Sequence, residues 1–234
     1  LEAFSLHWDE SVFYQTRQQT YYQATIEKLQ QNQLIYPCTC TRKVLAALNN
    51  HGVYPRFCRD KVISADKPHS LRVKTESLTV EFDDELQGRV AHNIASDYGD
   101  FIIKRKDNII SYQLAVVIDD ELQQINHVMR GLDLLDSTPR QLYLQTLLGF
   151  KPPNYLHIPI ITNQDGEKLS KQTFAKAIDT HKPEKTLFYI LTLLKQPPPL
   201  ELQNAPVAEL LNWAIANWDV NHLKEITAIP EKSK

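Results

Sequence analysis

The sequence predicts an α/β fold that is sheet-rich in its middle and helical at its end. Three patterns carry that expectation. Short alternating runs separated by Asp, Gly and Lys turns dominate Ser70–Lys106. Further on, a helix start at Thr138-Pro139 is followed by a buried strand-like run at His157–Ile161. Near the end, Leu187, Ile190, Leu191 and Leu194, and then Val207, Leu210, Leu211 and Ala214, recur at i, i+3, i+4, i+7.

In chain order, Asp9 and Ser11 offer N-caps for a helix over Val12–Gln33, in which Tyr22, Ile26 and Leu29 form one apolar stripe above a Gln-rich face. Leu34–Tyr36 reads as a short strand ended by Pro37. The compact segment Cys38–Cys58 holds all three cysteines. Ser70–Lys74, Leu78–Phe82, Arg89–His92 and Phe101–Arg105 read as strands of a β-rich insertion between helical parts. Ile109–Asp120 suits helix or strand, and Gln124–Arg130 reads as a strand leading into Gly131. Thr138 caps a helix over Pro139–Leu148, with Pro at the first helical position and Gly149 just past the end. Asn163–Gly166 is a turn, and Pro197–Pro199 stiffly separates the two final helices, with Trp218 a turn beyond the second stripe.

Composition narrows the function. Apolar residues make up 42% of the 234 and charged residues 23%, which is globular usage. No apolar run approaches the roughly 18 residues of a membrane span. Leu1–Glu10 lacks the basic start and apolar stretch of a signal peptide, and three cysteines do not suit a secreted disulfide scaffold, so a reducing cytoplasm is expected. Charge nearly cancels, with 26 Lys and Arg against 28 Asp and Glu, so RNA contact would need a local patch. Arg42, Lys43, Arg56, Arg59 and Lys61 crowd the cysteine segment, and Lys104, Arg105 and Lys106 a strand end. The six glycines form no GxGxxG, P-loop or GxSxG element.

Cys38, Cys40 and Cys58 supply three soft thiolates in one short segment, as a structural zinc site does, and leave a fourth position to His51, Tyr54 or Asp60. Spacing alone favours His51, imidazole being the commoner ligand. There is no HxE with PCxxC, so a zinc deaminase is not supported. Lys168 and Lys171, with Ser170 between them, lie on a loop after a strand and turn; such a pair can oppose the charge of a polyphosphate.

Lys168-Leu169-Ser170-Lys171 resembles the KMSKS signature of class I aminoacyl-tRNA synthetases. His157-Ile158-Pro159, Asn163–Gly166, the run Arg130–Gln141 and the block Tyr112–Asp120 resemble the glutamyl and glutaminyl branch of that class. Tyr36–Arg42, with Tyr54 and Cys58, is similar to the zinc segment of the subfamily that modifies queuosine in tRNA(Asp). The likeness runs from about Leu6 to Lys195 and implies a Rossmann-like catalytic domain. That domain would comprise residues 1–37 and 107–180, with a zinc-binding, β-rich insertion at 38–106 and a helical segment at 181–234.

The resemblance implies Cys38, Cys40, Tyr54 and Cys58 as ligands of one structural Zn2+, with His51 the rival to Tyr54. It implies Tyr112 and Arg130 around glutamate, Lys171 on ATP and Lys168 as its catalytic companion. ATP with Mg2+, L-glutamate and queuosine-bearing tRNA(Asp) are the implied substrates of a monomeric, cytoplasmic ligase that activates glutamate without tRNA. The branch's first βαβ unit, with its HIGH-like ATP motif and an acidic residue for the amino group, has no counterpart here. A catalytically incomplete, N-terminally truncated chain is therefore expected, consistent with a start at Leu1 and a single methionine, Met129. Only residues 172–234 follow Lys171, too few for the helical anticodon-binding domain of a glutamyl-tRNA synthetase or the β-barrels of a glutaminyl enzyme. Two alternatives remain: a glutamyl-tRNA synthetase fragment that charges tRNA(Glu), and a non-catalytic zinc- and RNA-binding relic.

Overall fold

The computed structural model describes residues 1–47, 53–64, 66–170, 175 and 177–231. A 3-10 turn at Glu2–Phe4 and a second at Gln15–Arg17 precede α1 (Gln19–Gln31). The helix starts later than the caps at Asp9 and Ser11 suggested. The Gln15 side chain donates to Asp119 Oδ2 at 2.7 Å, which pins the second turn against the body of the protein before the helix begins. On α1, Tyr22, Ile26 and Leu29 are buried, as their stripe predicts.

β1 (Ile35–Cys38) runs through Pro37 instead of stopping there. It is an edge strand, so the missing proline N–H removes no bond from the sheet interior. After α2 (Arg42–Ala47) come β2 (Ser70–Val73), β3 (Thr79–Asp84), β4 (Gly88–Asn93) and β5 (Ile102–Lys104). The ambiguous apolar stretch resolves as α3 (Tyr112–Leu122); its first residues stay with the sheet, where the Ser111 amide donates to the Ile103 carbonyl at 2.9 Å. Then follow β6 (His127–Gly131), α4 (Thr138–Leu148) and β7 (Asn154–Ile158). Gly149 takes the left-handed conformation that closes α4, φ 76°. The strand expected at His157–Ile161 is two strands, because Pro159 has no N–H to continue the ladder; β8 (Ile160–Thr162) leaves for another sheet. α5 (Pro183–Leu193), α6 (Val207–Asn217) and β9 (Ala228–Pro230) complete the order.

Among the described residues there are three sheets. β1-β2-β5 is antiparallel, β4-β3-β7-β6 is mixed, and β8 pairs in parallel with β9. β6, α4 and β7 form a parallel βαβ unit. Pairing crosses the sequence positions 37/38 and 106/107, since β1 pairs with β2 and β3 pairs with β7. The main core is continuous across them: Tyr22, Leu29, Val73, Ile94, Ile103, Leu114, Leu144 and Tyr155 are buried together. Phe4 packs with Leu187, Leu191, Leu210 and Ala214 in a second cluster between α5 and α6. No helix among the described residues is long and apolar enough to cross a membrane.

Candidate functional site

In α/β sheets ligands sit beyond the carboxyl ends of parallel strands. At that end Arg130 of β6 lies in register with His157 of β7, and Gly131 with Ile158. Arg130 Nε donates to His157 Nε2 at 3.0 Å, and its Nη2 donates to Thr138 Oγ1 at 2.7 Å. His157 is wholly buried, and its Nδ1 lies 2.6 Å from Asp84 Oδ2, a buried carboxylate on β3. Asp84 Oδ1 accepts the backbone N–H groups of Leu86, Gln87 and His157 at 3.1, 2.9 and 3.2 Å. Burial pushes the Asp84 carboxyl up, but the His157 hydrogen bond and these amides outweigh it and hold it below the ordinary carboxylate range.

The Arg130 guanidinium lies 5.3 Å from the centre of the Tyr155 ring, which stacks on His157 at 6.1 Å. Burial raises the Tyr155 hydroxyl to about 12; Gln145 and Arg130 lower it, while Asp120 and Tyr112 raise it. Both Arg130 and Tyr112 thus act electrostatically on Tyr155. Tyr112, at the first position of α3, is 46% exposed and open to a ligand. Asp120, about two α3 turns further on, is raised to about 6 by burial, with Arg130 opposing and Asp119 adding to the rise.

The lysine loop follows β8 as a tight turn. Asn163 Oδ1 accepts the Glu167 amide at 2.8 Å, Gly166 takes φ 80°, and Lys168 bridges back to Thr162. The Lys168 ammonium pairs with the Asp133 carboxylate. A Cβ on Gly131 would lie 2.5 Å from Asp133 Oδ1, so the glycine makes room for the acid that receives the loop. Lys171, expected on ATP, lies outside the described residues.

The cysteines meet as their spacing predicted. Cys38, Cys40 and Cys58 Sγ lie within 4.8 Å of one another, and Cys40 and Cys58 Sγ are 3.5 Å apart. Tyr54 Oη is 3.3 Å from Cys38 Sγ and 3.6 Å from Cys40 Sγ, and accepts the Cys58 amide at 3.0 Å. His51 lies outside the described residues. Burial raises Cys58, but hydrogen bonds from Tyr54, the Thr39 backbone and the other thiols bring it down to about 7. Cys40 is raised to about 11, chiefly by burial. A tetrahedral thiolate site with Zn–S near 2.3 Å needs sulfurs about 3.8 Å apart; three thiols at this spacing could hold a soft divalent ion.

Tyr54 is placed by its backbone and its ring. Its backbone bridges to Gly99, where an added Cβ would meet Val53 Cγ1 at 2.7 Å and the Tyr54 backbone N and O at 3.2 Å. Its ring carries the Arg72 guanidinium at 3.7 Å. Asp100, next in the chain to Gly99, is fully buried and accepts from Tyr36 Oη at 2.7 Å and from the Thr75 amide and hydroxyl at 2.8 Å. Arg56 and Arg59 face the same carboxylate at 3.7 and 3.6 Å, and Arg59 also pairs with Glu76. Lys106 donates to the Thr39 carbonyl at 2.6 Å, and Arg105 pairs with Asp107 at 2.7 Å. Much of the basic cluster read from the sequence is therefore turned to internal partners.

Sequence reasoning missed Asp84 and the roles of Thr138 and Asp133. Asp133 lay inside a run noted only for its resemblance, and Thr138 was read as a helix cap, whereas the helix begins at Thr138 itself with Ser137 at the cap. Asp84 gave no signal, since its partner is far along the chain.

Residues 1–188 match the family model described as tRNA synthetases class I (E and Q), catalytic domain. The chain is 41% identical over 223 residues to the glutamyl-Q tRNA(Asp) synthetase of Methylococcus capsulatus, which spans 95% of this chain and 74% of that protein. It is 42% identical over 238 residues to the protein of that name from Thiobacillus denitrificans, which spans 100% of this chain and 78% of the relative. The crystal structure of a glutamate-tRNA synthetase from Elizabethkingia anophelis superposes with a TM-score of 0.75 at 18% identity over 99% of this chain, and shares the fold. The chain spans 56% of that structure's length.

Proposed function

Since the chain belongs to the class I tRNA synthetase family of the E and Q type, we propose that the protein it is part of activates L-glutamate with ATP and transfers the glutamyl group to queuosine in the anticodon of tRNA(Asp). The observation that carries this reading is identity above 40% to relatives of that activity over nearly the whole chain. Those relatives disfavour both the tRNA(Glu)-charging fragment and the non-catalytic relic.

In the first step a glutamate carboxylate oxygen attacks the α-phosphorus of ATP. The bond to the bridging oxygen breaks, and glutamyl-adenylate and pyrophosphate form. In the second, a hydroxyl of the queuosine cyclopentenediol attacks the acyl carbon; an ester forms, AMP leaves, and the hydroxyl proton goes to solvent. No protein nucleophile is required. Catalysis rests on positioning and on cations that oppose phosphate charge. Arg130 would pair with a carboxylate of glutamate, and Tyr112 would close the same pocket. Lys168, released from Asp133, and Lys171 would meet the polyphosphate, with Mg2+ carried in on ATP.

Cys38, Cys40, Cys58 and Tyr54 would hold one zinc ion. A four-ligand site leaves no position for a reacting water, so the metal would supply structure. The division into a catalytic domain (1–37 and 107–180), an insertion (38–106) and a helical segment (181–234) belongs to the same reading, as do a cytoplasmic location and a monomeric state. The test, made on the protein with its HIGH-like region, is glutamate-dependent exchange of pyrophosphate into ATP without tRNA, followed by transfer of labelled glutamate to tRNA(Asp) with queuosine, tRNA(Asp) without it, and tRNA(Glu). Label on the first tRNA alone is expected; label on tRNA(Glu) would overturn the assignment.

A further inference from the structure

The deepest polar chain at the site runs from Asp84 through His157 to Arg130, and it fixes the chemistry of each member. A guanidinium has donors only. For Arg130 Nε–H to bond His157 Nε2 at 3.0 Å, that nitrogen must accept, so the imidazole is neutral and carries its proton on Nδ1. That proton faces Asp84 Oδ2 at 2.6 Å, and the other Asp84 oxygen is saturated by three backbone amides. The carboxylate therefore selects the tautomer, and the tautomer presents one lone pair, which Arg130 Nε–H meets at 3.0 Å and Thr138 Oγ1 flanks at 3.2 Å.

The edge of the fork formed by Nε and Nη2 is thus occupied, by His157 and by Thr138 Oγ1 at 2.7 Å. Among the described residues, Nη1 has no hydrogen-bond partner within the protein. Nη2 also reaches the Leu134 carbonyl, but only at 3.5 Å, a long contact that a ligand can displace, so the fork's outer edge, built on Nη1, is what remains for a ligand. A fixed guanidinium edge discriminates a carboxylate from an amide, because a carboxylate offers two acceptors to it and an amide only one.

We propose that Asp84 and His157 are positioning residues for glutamate selection: they lock the Arg130 fork so that its outer edge alone meets a substrate carboxylate. This rests on the proposed activity. Neither residue touches the reacting atoms.

The test measures glutamate, glutamine and ATP binding by calorimetry on the whole protein with its HIGH-like region, with pyrophosphate exchange and a thermal melt for each variant. The variants are His157→Asn, which keeps a donor near Asp84 but loses the acceptor for Arg130; His157→Gln, which can return an oxygen to the Nε2 position; and Asp84→Asn. In the wild-type chain glutamate binds and glutamine binds more weakly. His157→Asn is expected to weaken glutamate binding at least tenfold and to narrow the gap to glutamine, with ATP binding unchanged. His157→Gln is expected to recover most of the loss, and Asp84→Asn to fall between them. Equal loss of glutamate and ATP binding, or glutamate binding in His157→Asn equal to wild type with a native melt, would overturn the positioning role while leaving the activity in place. A wild-type chain that binds ATP but no glutamate would overturn the activity, and this inference with it.

Discussion

Replacing Gly99 by alanine tests how Tyr54 is delivered to the thiols. Gly99 has φ 62° and ψ −171°, a region that is essentially glycine's alone, and forcing a Cβ there costs about 1–3 kcal/mol. The new methyl would also press on Val53 at 2.7 Å and on the Tyr54 backbone at 3.2 Å, and overpacking of that kind costs about 1–3 kcal/mol. Both strains relax by the same movement, so a total of about 3 kcal/mol is expected, a fall in melting temperature of roughly 6–12 °C for a chain of this size. Gly88→Ala is the control. It also has positive φ, 74°, but nothing lies within 4 Å of its Cβ, so only the conformational cost of about 1 kcal/mol applies. Melting followed by circular dichroism, with metal content by mass spectrometry, separates the two. Gly99→Ala should melt well below Gly88→Ala and lose metal. Equal melting with full metal content would refute the claim that the close approach at Gly99 sets the Tyr54 hydroxyl.

Cys40→Ser should lower metal content and melting temperature before it affects glutamate activation; unchanged metal content would remove Cys40 from the ligand set. Asp120 has its folded pKa raised to about 6, so its neutral form is the one the fold favours and its ionisation opposes folding as pH rises through 6. Asp120→Asn should therefore stabilise the chain by about 1–3 kcal/mol at pH 7.5 and by nothing near pH 4, as read from urea unfolding at the two values; a difference that does not change with pH would refute it. Gly131→Ala should shift the Asp133 carboxylate and release Lys168, with little change in melting temperature because a flexible side chain can give way. Faster tryptic cleavage after Lys168 would report the release, and an unchanged cleavage rate would count against it.

Local chemistry made much of the fold readable. Gly149 closes α4 as read, and the stripes of α5 and α6 needed no tertiary information, but Thr138 is the first residue of α4 and not its cap: Ser137 stands there, and the Thr138 hydroxyl accepts from Arg130. Readings failed where a distant partner decides. Gln15 bonding Asp119 delays α1, the edge position of β1 admits Pro37, and the exchange of sheets at Pro159 splits one apolar run into two strands. In the site, the thiols could be found because two of them are near neighbours in sequence. Spacing could not show that the Tyr54 hydroxyl meets the thiols, since it is set by the backbone bridge to Gly99. Asp84 was invisible for a similar reason: a carboxylate at a strand end looks like turn chemistry until the fold brings His157 against it.

The buried Asp100 has an electrical consequence for any RNA that approaches the cysteine lobe. Two arginines, Arg56 and Arg59, face two acids, Asp100 and Glu76, so that quartet sums to zero before a phosphate arrives. A tally of basic residues overstates the field there. Each phosphate neutralised contributes a slope of about 0.7–0.9 to the dependence of log affinity on log salt. Any RNA contact at this segment should therefore weaken only gently as ionic strength rises.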